Sequence, residues 1–226
     1  LGKRILIDAK NVLDEILDII YEPDDTCPIC SQPFMQKEYL CPNCINEIKY
    51  CIEACFPIED KKYFVHSLSY FSGITQRLII NLKYRNDLNA GRFLARLLYL
   101  KFKDLFNEID FLIPAPCTEK SFQNRGYNQA YVICKEIEKI SGIKTLDILK
   151  KSNTSKDQIG LSKEKRWLNL EKAIEIKSKK TKLSSKIAML IDDVFTTGAT
   201  SYHCAETLVK EGIERVIILT VAKGSI

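Results

Sequence analysis

An apolar run, Ala188 to Ile191, leads into two adjacent carboxylates, Asp192 and Asp193, and then into Thr196, Thr197, Gly198, Ala199 and Thr200. That order suits one kind of chemistry. The threonine hydroxyls donate hydrogen bonds, and Gly198 lets the backbone approach an anion. A helix opening at Thr200 turns its positive end toward the same point, so the loop makes a cradle for a phosphate monoester. The two carboxylates just ahead of it can accept hydrogen bonds from vicinal sugar hydroxyls and assist a Mg2+ ion. The plainer alternative is a strand capped by a polar turn. The chain contains neither G-x-x-x-x-G-K-[ST] nor G-x-G-x-x-G, which excludes a Walker-type ATPase and a dinucleotide fingerprint.

The second cluster is made of thiols. The chain has nine cysteines, and six of them fall between Cys27 and Cys55. Cys27 with Cys30, and Cys41 with Cys44, form two C-x-x-C pairs across a short insert, the spacing that folds two knuckles around one tetrahedral ion. Four thiolates suit Zn2+, less often iron; a redox dithiol and plain buried cysteines are the alternatives. Such a module is too small to bury a core, so a structural metal would supply its folding energy, and a closed four-sulfur shell leaves no open position for catalysis. Cys51 and Cys55 read as packed thiols or spare ligands. Cys117, Cys134 and Cys204 read as core or near-core residues. His203 adjoins Cys204 in a helix, where neighbours point apart, so a catalytic pair is not expected there.

These groups need elements to position them. Residues 4–20 show helical spacing of Leu13, Ile16, Leu17 and Ile20 with acids between, which predicts a docking helix ended by Pro23. Residues 26–58 read as the cysteine module. From Tyr63 onward, strand patterns at 64–71, 111–116, 145–149, 173–176, 186–191 and 215–221 alternate with helical patterns at 74–102, broken near 86–89, and at 126–140 and 200–210. Residues 151–169 read as a polar flap. The alternation predicts an α/β domain with a mainly parallel sheet. The domain division is 1–60 for the N-terminal helix and cysteine module, and 61–226 for the α/β domain.

Composition sets the outer limits. At 226 residues, 46% hydrophobic and 28% charged, the chain is long enough and apolar enough to bury a core. Its net charge of +5 permits an anionic partner without demanding one. Lys177, Lys179, Lys180, Lys182 and Lys186 form a basic run that could meet DNA phosphates or simply be a solvated loop. No apolar run approaches the roughly eighteen residues needed to cross a bilayer, so no transmembrane segment is expected. Lys3, Asp8, Lys10, Asp14, Glu15 and Asp18 do not suit a signal peptide, and a cytoplasmic location with reduced thiols is expected.

Residues 192–200 resemble the phosphoribosyl pyrophosphate (PRPP) motif of type I phosphoribosyltransferases, with Phe195 where that class often has an aliphatic residue. Joined to the cysteine pairs, they resemble the ComF family of competence proteins. Leu82-Lys83-Tyr84 is similar to that family's lysine segment, and Ile113-Pro114-Ala115-Pro116 to its Pro-Val-Pro loop. Arg125-Gly126-Tyr127-Asn128-Gln129 is similar to its Arg-Gly-Phe-Asn-Gln motif. Gln158, Leu161, Arg166 and Asn169 are similar to its flap segment. Family members often carry a further C-x-x-C pair where this chain has Cys51 and Cys55, and Ile174 stands where a phenylalanine is usual. The resemblance implies a type I phosphoribosyltransferase fold, a twisted mainly parallel sheet flanked by helices, with a small N-terminal four-cysteine zinc-finger module. It implies PRPP with Mg2+ at Asp192, Asp193, Thr196, Thr197, Gly198, Ala199 and Thr200. Lys83, Arg125 and Arg166 would serve the pyrophosphate. It further implies single-stranded DNA uptake in natural transformation, beside a helicase-like partner and other competence proteins. Three readings follow: phosphoribosyl transfer to an unknown acceptor, a catalytically inactive PRPP-binding or scaffold module, and a metabolic nucleobase phosphoribosyltransferase. No catalytic residue is assigned.

Overall fold

The computed structural model describes residues 26–34, 38–52, 55–58, 63–152, 173–177, 184 and 186–224. The expected helix at 4–20, the flap side chains Gln158, Leu161, Arg166 and Asn169, and Lys179, Lys180 and Lys182 lie outside the described residues. The chain divides into two compact units, Leu1–Asn46 and Glu47–Ile226.

In the first unit, Cys27 begins a tight turn: its amide donates to Gln32 O at 2.9 Å and its carbonyl accepts from Ser31 N at 2.8 Å. Ser31 holds a φ of 58° to close that turn. The second cysteine pair opens a short helix, α1 (Pro42–Asn46). Pro42 suits its first position, where an amide would have no partner in the helix.

The second unit is built on a five-stranded sheet of order β1-β2-β7-β6-β3: β1 (Cys55–Ile58), β2 (Tyr63–Tyr70), β3 (Phe111–Pro114), β6 (Ile187–Phe195) and β7 (Arg215–Lys223). All its pairings are parallel except β1 with β2. The central strands β6 and β7 are buried along most of their length. Their near-continuous apolar runs are what a parallel strand covered on both faces requires. A second, two-stranded antiparallel sheet joins β4 (Leu149–Lys151) to β5 (Ile174–Ile176).

Among the described residues of this unit, six helical segments accompany the sheets: α2 (Gly73–Tyr84), α3 (Leu88–Lys101), a 3-10 turn at Lys103–Glu108, α4 (Glu119–Arg125), α5 (Gln129–Ser141) and α6 (Ala199–Lys210). The break expected near 86–89 is there. Asn86 takes a φ of 56°, and the Asp87 side chain caps α3 by accepting from Ala90 N at 3.1 Å. Where α2, α3 and α5 meet, a Cβ on Gly91 would lie 2.9 Å from Leu82 and 3.1 Å from Val132, so a larger residue there would have to displace those side chains. On the opposite face, Ala188 and Leu190 of β6 pack with Cys204, Ala205 and Leu208 of α6.

The structure redraws several boundaries. Residues 55–58, read as part of the cysteine module, form an antiparallel edge strand of the main sheet. Gly126, read as opening a helix, ends one: it caps α4 with a φ of 79°, and α5 starts at Gln129 after the cap Asn128. The strand expected at 145–149 is an isolated bridge at Thr145 followed by β4. Strand β6 does not stop at Ile191 but carries both acids, because β7 keeps pairing with it from Asp192↔Thr220 to Phe195↔Lys223. The architecture is otherwise the expected one, an α/β fold on a mainly parallel sheet with an N-terminal four-cysteine cluster. No helix among the described residues is long and apolar enough to cross a membrane.

Candidate functional site

Parallel strands present their carboxyl ends together, and the groups singled out in the sequence gather there. Pro114 pairs with Ile191, and Ala115 N donates to Ile191 O at 2.8 Å, so the loop after β3 ends level with the acids of β6. Ligands of open α/β sheets bind at such ends.

Asp192 and Asp193 are neighbours in a strand, so their side chains leave on opposite faces. Asp193 is buried on the side of α2 and α5. Its Oδ1 lies 2.8 Å from Lys83 Nζ, and its Oδ2 accepts from Gln129 Nε2 at 2.7 Å. Asp192 faces α6 and β4, close enough to help keep the buried Cys204 thiol protonated and to feel the Lys151 cation. Burial, with the Asp193 charge beside it, pushes its carboxyl up to about 7, although the Asp193 amide at 2.8 Å and the Lys83 and Lys151 cations pull the other way. One acid is thus locked into a network, and the other is held near neutrality.

The five residues 125–129 each hold part of this site. Arg125 Nη1 donates to Gln129 Oε1 at 2.8 Å, and its guanidinium lies 5.5 Å from the centre of the Tyr84 ring. Gly126 supplies the left-handed turn. The Tyr127 hydroxyl donates to Leu82 O, next to Lys83. Asn128 caps α5 through Ala130 N at 3.0 Å and ties it to the loop after β3 through Ala115 O at 2.9 Å. Gln129 completes the chain to Asp193.

Beyond the acids, Thr196 and Thr197 are exposed, Gly198 and Ala199 are buried, and Thr200 is half-buried in the first turn of α6. Gly198 precedes that helix with a φ of 79°, and a Cβ there would lie 2.8 Å from the Phe195 ring and 3.1 Å from Ile58. Glycine is therefore required both for the backbone angle and for the buried Phe195 beneath it. Ala199 N donates to Thr197 Oγ1 at 3.4 Å. The loop thus places two exposed hydroxyls at the N-terminus of a twelve-residue helix, an arrangement able to receive an anion.

The structure brings Lys83, Arg125, Asp192, Asp193 and the 196–200 loop to one end of the sheet, while Arg166 falls outside the described residues. Sequence reasoning gave no role to Gln129, although it lies in the matched motif. It missed Lys151 altogether. Lys151 ends β4, bridges to Thr118 and lies close enough to Asp192 to act on its charge; no local pattern marks it. In the basic run, Lys177 pairs with Asp147 at 2.7 Å and Lys186 with Asp110 at 2.8 Å, which favours the solvated-loop reading for these two.

The four cysteines form a separate cluster in the first unit. Their sulfurs all lie within 4.8 Å of one another, with Cys27 to Cys44 at 3.7 Å and Cys30 to Cys41 at 3.6 Å. Tetrahedral sulfurs about 2.3 Å from one Zn2+ would be about 3.8 Å apart, so the donor set fits such an ion. Burial would raise the Cys27 thiol, but backbone amides of Cys41, Cys30 and Ile29 bring it down to about 6. Burial and the neighbouring sulfurs push Cys44 far up. As thiolates, four sulfurs this close would need a cation between them, so the cluster could hold a metal ion. Cys51 is buried in the second unit, and Cys55 is exposed with its sulfur 4.0 Å from His66 Nε2.

Fold and clusters describe a mainly parallel α/β protein carrying a four-cysteine cluster that could hold a metal. Along nearly its whole length the chain resembles the ComF family of competence proteins. It is 29% identical over 211 residues to Competence protein F of Haemophilus influenzae, covering 88% of this chain and 90% of that one. It is 21% identical over 187 residues to Competence protein ComFC of Bacillus subtilis, covering 82% and 72%. No protein-family profile matches the chain. Among solved structures, adenine phosphoribosyltransferase of Saccharomyces cerevisiae aligns at TM-score 0.42 and 13% identity, covering 62% of this chain and 72% of that one. Glutamine PRPP amidotransferase of B. subtilis also aligns at 0.42, with 16% identity over 59% of this chain, which spans about a quarter (26%) of that protein.

Proposed function

We propose that this chain binds PRPP with Mg2+ at the carboxyl ends of its parallel strands, and that it serves in the uptake of single-stranded DNA during natural transformation. The observation that carries the first half is the run from Asp192 and Asp193 through Gly198 into the N-terminus of α6. In this reading Thr196, Thr197, Gly198, Ala199 and Thr200 receive the 5-phosphate. Asp192 and Asp193 meet the ribose hydroxyls and assist Mg2+. Lys83 and Arg125, with Arg166 from the flap, neutralise the pyrophosphate. The second half rests on similarity to two proteins named for competence. A helicase-like partner and other competence proteins belong to that role, in the cytoplasm. The four-cysteine cluster holds a structural Zn2+.

Phosphoribosyl transfer is a second reading, favoured by the cations beside the acidic pair. An acceptor nucleophile would form a bond to the ribose C1 as the C1–O bond to pyrophosphate breaks, and the acceptor's proton would pass to solvent. Electrostatic binding of the leaving group would carry the catalysis. An inactive PRPP-binding scaffold and a nucleobase phosphoribosyltransferase are the remaining outcomes. The test is transformation frequency in cells carrying Asp192→Ala/Asp193→Ala at normal protein level, with pyrophosphate release from PRPP assayed alongside. The proposal expects transformation to fall; unchanged transformation contradicts the uptake role, and pyrophosphate release lost in the variant separates transfer from simple binding.

A further inference from the structure

We propose that Gln129 is the positioning residue that sets Asp193 and Arg125 as one unit, the first toward the ribose hydroxyls and the second toward the pyrophosphate. This inference rests on the PRPP reading above. Gln129 is 8% exposed, and both ends of its amide are used: Oε1 accepts from Arg125 at 2.8 Å and Nε2 donates to Asp193 at 2.7 Å. A side-chain amide offers a donor and an acceptor on separate atoms at one end, without a charge. A carboxylate in its place would repel Asp193, and a hydrocarbon would satisfy neither partner.

Neutrality is what makes the bridge useful. Arg125 and Asp193 carry opposite charges, and in direct contact they would form a bidentate pair that spends both on each other. The interposed amide fixes one relative to the other and leaves the Arg125 charge for a ligand, while Asp193 shares its own with Lys83. The surrounding contacts make the bridge rigid. Gly126 ends α4 in the left-handed conformation, Asn128 pins the start of α5 to Ala115 O, and Lys83 holds the other oxygen of Asp193. Arg125 and Gln129 thus face each other across a turn whose two sides are each capped.

The experiment uses two fragments of the ligand as probes, Mg2+-pyrophosphate and ribose 5-phosphate, titrated calorimetrically into the full zinc-loaded chain. Arg125→Met should weaken pyrophosphate alone, and Asp193→Asn ribose 5-phosphate alone. Gln129→Leu should weaken both by about tenfold or more, the scale of a lost hydrogen bond to a charged group. Added to Arg125→Met, it should cost pyrophosphate binding nothing further. The near-isosteric Gln129→Glu keeps the test open if the leucine variant does not fold. Its carboxylate would pair directly with Arg125, spending that charge, and would oppose Asp193, so both probes should weaken. Wild-type affinity for either probe in Gln129→Glu, or additive losses with Arg125→Met, would show a merely structural glutamine and overturn the proposal. Wild-type protein that binds neither probe overturns the PRPP reading itself, whereas wild-type binding with an unaffected Gln129→Leu overturns only the role of Gln129.

Discussion

Lys83 Nζ sits 2.8 Å from Asp193 Oδ1 and joins the end of α2 to the end of β6, 110 positions apart in sequence. The carboxylate side chain is 7% exposed and the lysine 20%. Both charges are therefore largely withdrawn from water, where removing one partner leaves the other uncompensated. Lys83→Met should lower the stability of the ligand-free protein by about 1–3 kcal/mol, the scale for a buried charged group that loses its partner. Urea denaturation measures this. A variant as stable as wild type would mean that Asp193 is satisfied without Lys83.

The sign of the Asp192 shift gives a pH prediction. Its carboxyl is raised from 3.8 to about 7 in the folded chain. In that window the unfolded chain releases the proton while the folded chain keeps it, so stability from this group falls as pH rises from about 4 to 7. Asp110 and Glu138 are lowered, each chiefly by a lysine partner, and contribute the opposite slope at lower pH. The clean observable is the difference from Asp192→Asn. The variant should match wild type below pH 4 and be the more stable of the two above pH 7. A difference independent of pH contradicts the shift.

Gly198 answers for both the loop and the core beneath it. Gly198→Ala must accept a φ of 79° and a Cβ 2.8 Å from the Phe195 ring. The expected cost is about 1–3 kcal/mol, seen as a lower melting temperature, together with weaker anion binding at the loop. Unchanged melting would mean the loop tolerates another backbone conformation.

The cysteine cluster predicts about one equivalent of zinc in freshly purified protein. Cys44→Ser should lose the metal and increase proteolysis within 1–46, because the ion supplies the folding energy of such a module. Less than half an equivalent in untreated wild-type protein contradicts the assignment.

Much of this was legible in the chain, for physical reasons that differ by residue. Asp192 to Thr200 and the two cysteine pairs are grouped by local spacing, so their clustering shows in sequence. The break between α2 and α3 was visible because Asn86 and Asp87 are turn and cap residues. Edge strand β1 was hidden: four residues containing Pro57 carry no alternation, and only pairing with β2 makes them a strand. Helix α4 was hidden because a glycine can stand just ahead of one helix as readily as it closes another. Gln129 and Lys151 owe their places to contacts across long stretches of sequence, and no local pattern encodes a partner more than sixty residues away, as Asp193 is from Gln129.

The central claim is the PRPP pocket, and calorimetric titration of PRPP into zinc-loaded protein, with and without Mg2+, tests it most directly. Saturable Mg2+-dependent binding that disappears in Asp192→Ala/Asp193→Ala is the predicted result. Absence of binding to folded wild-type protein, or equal binding by the double variant, would contradict it.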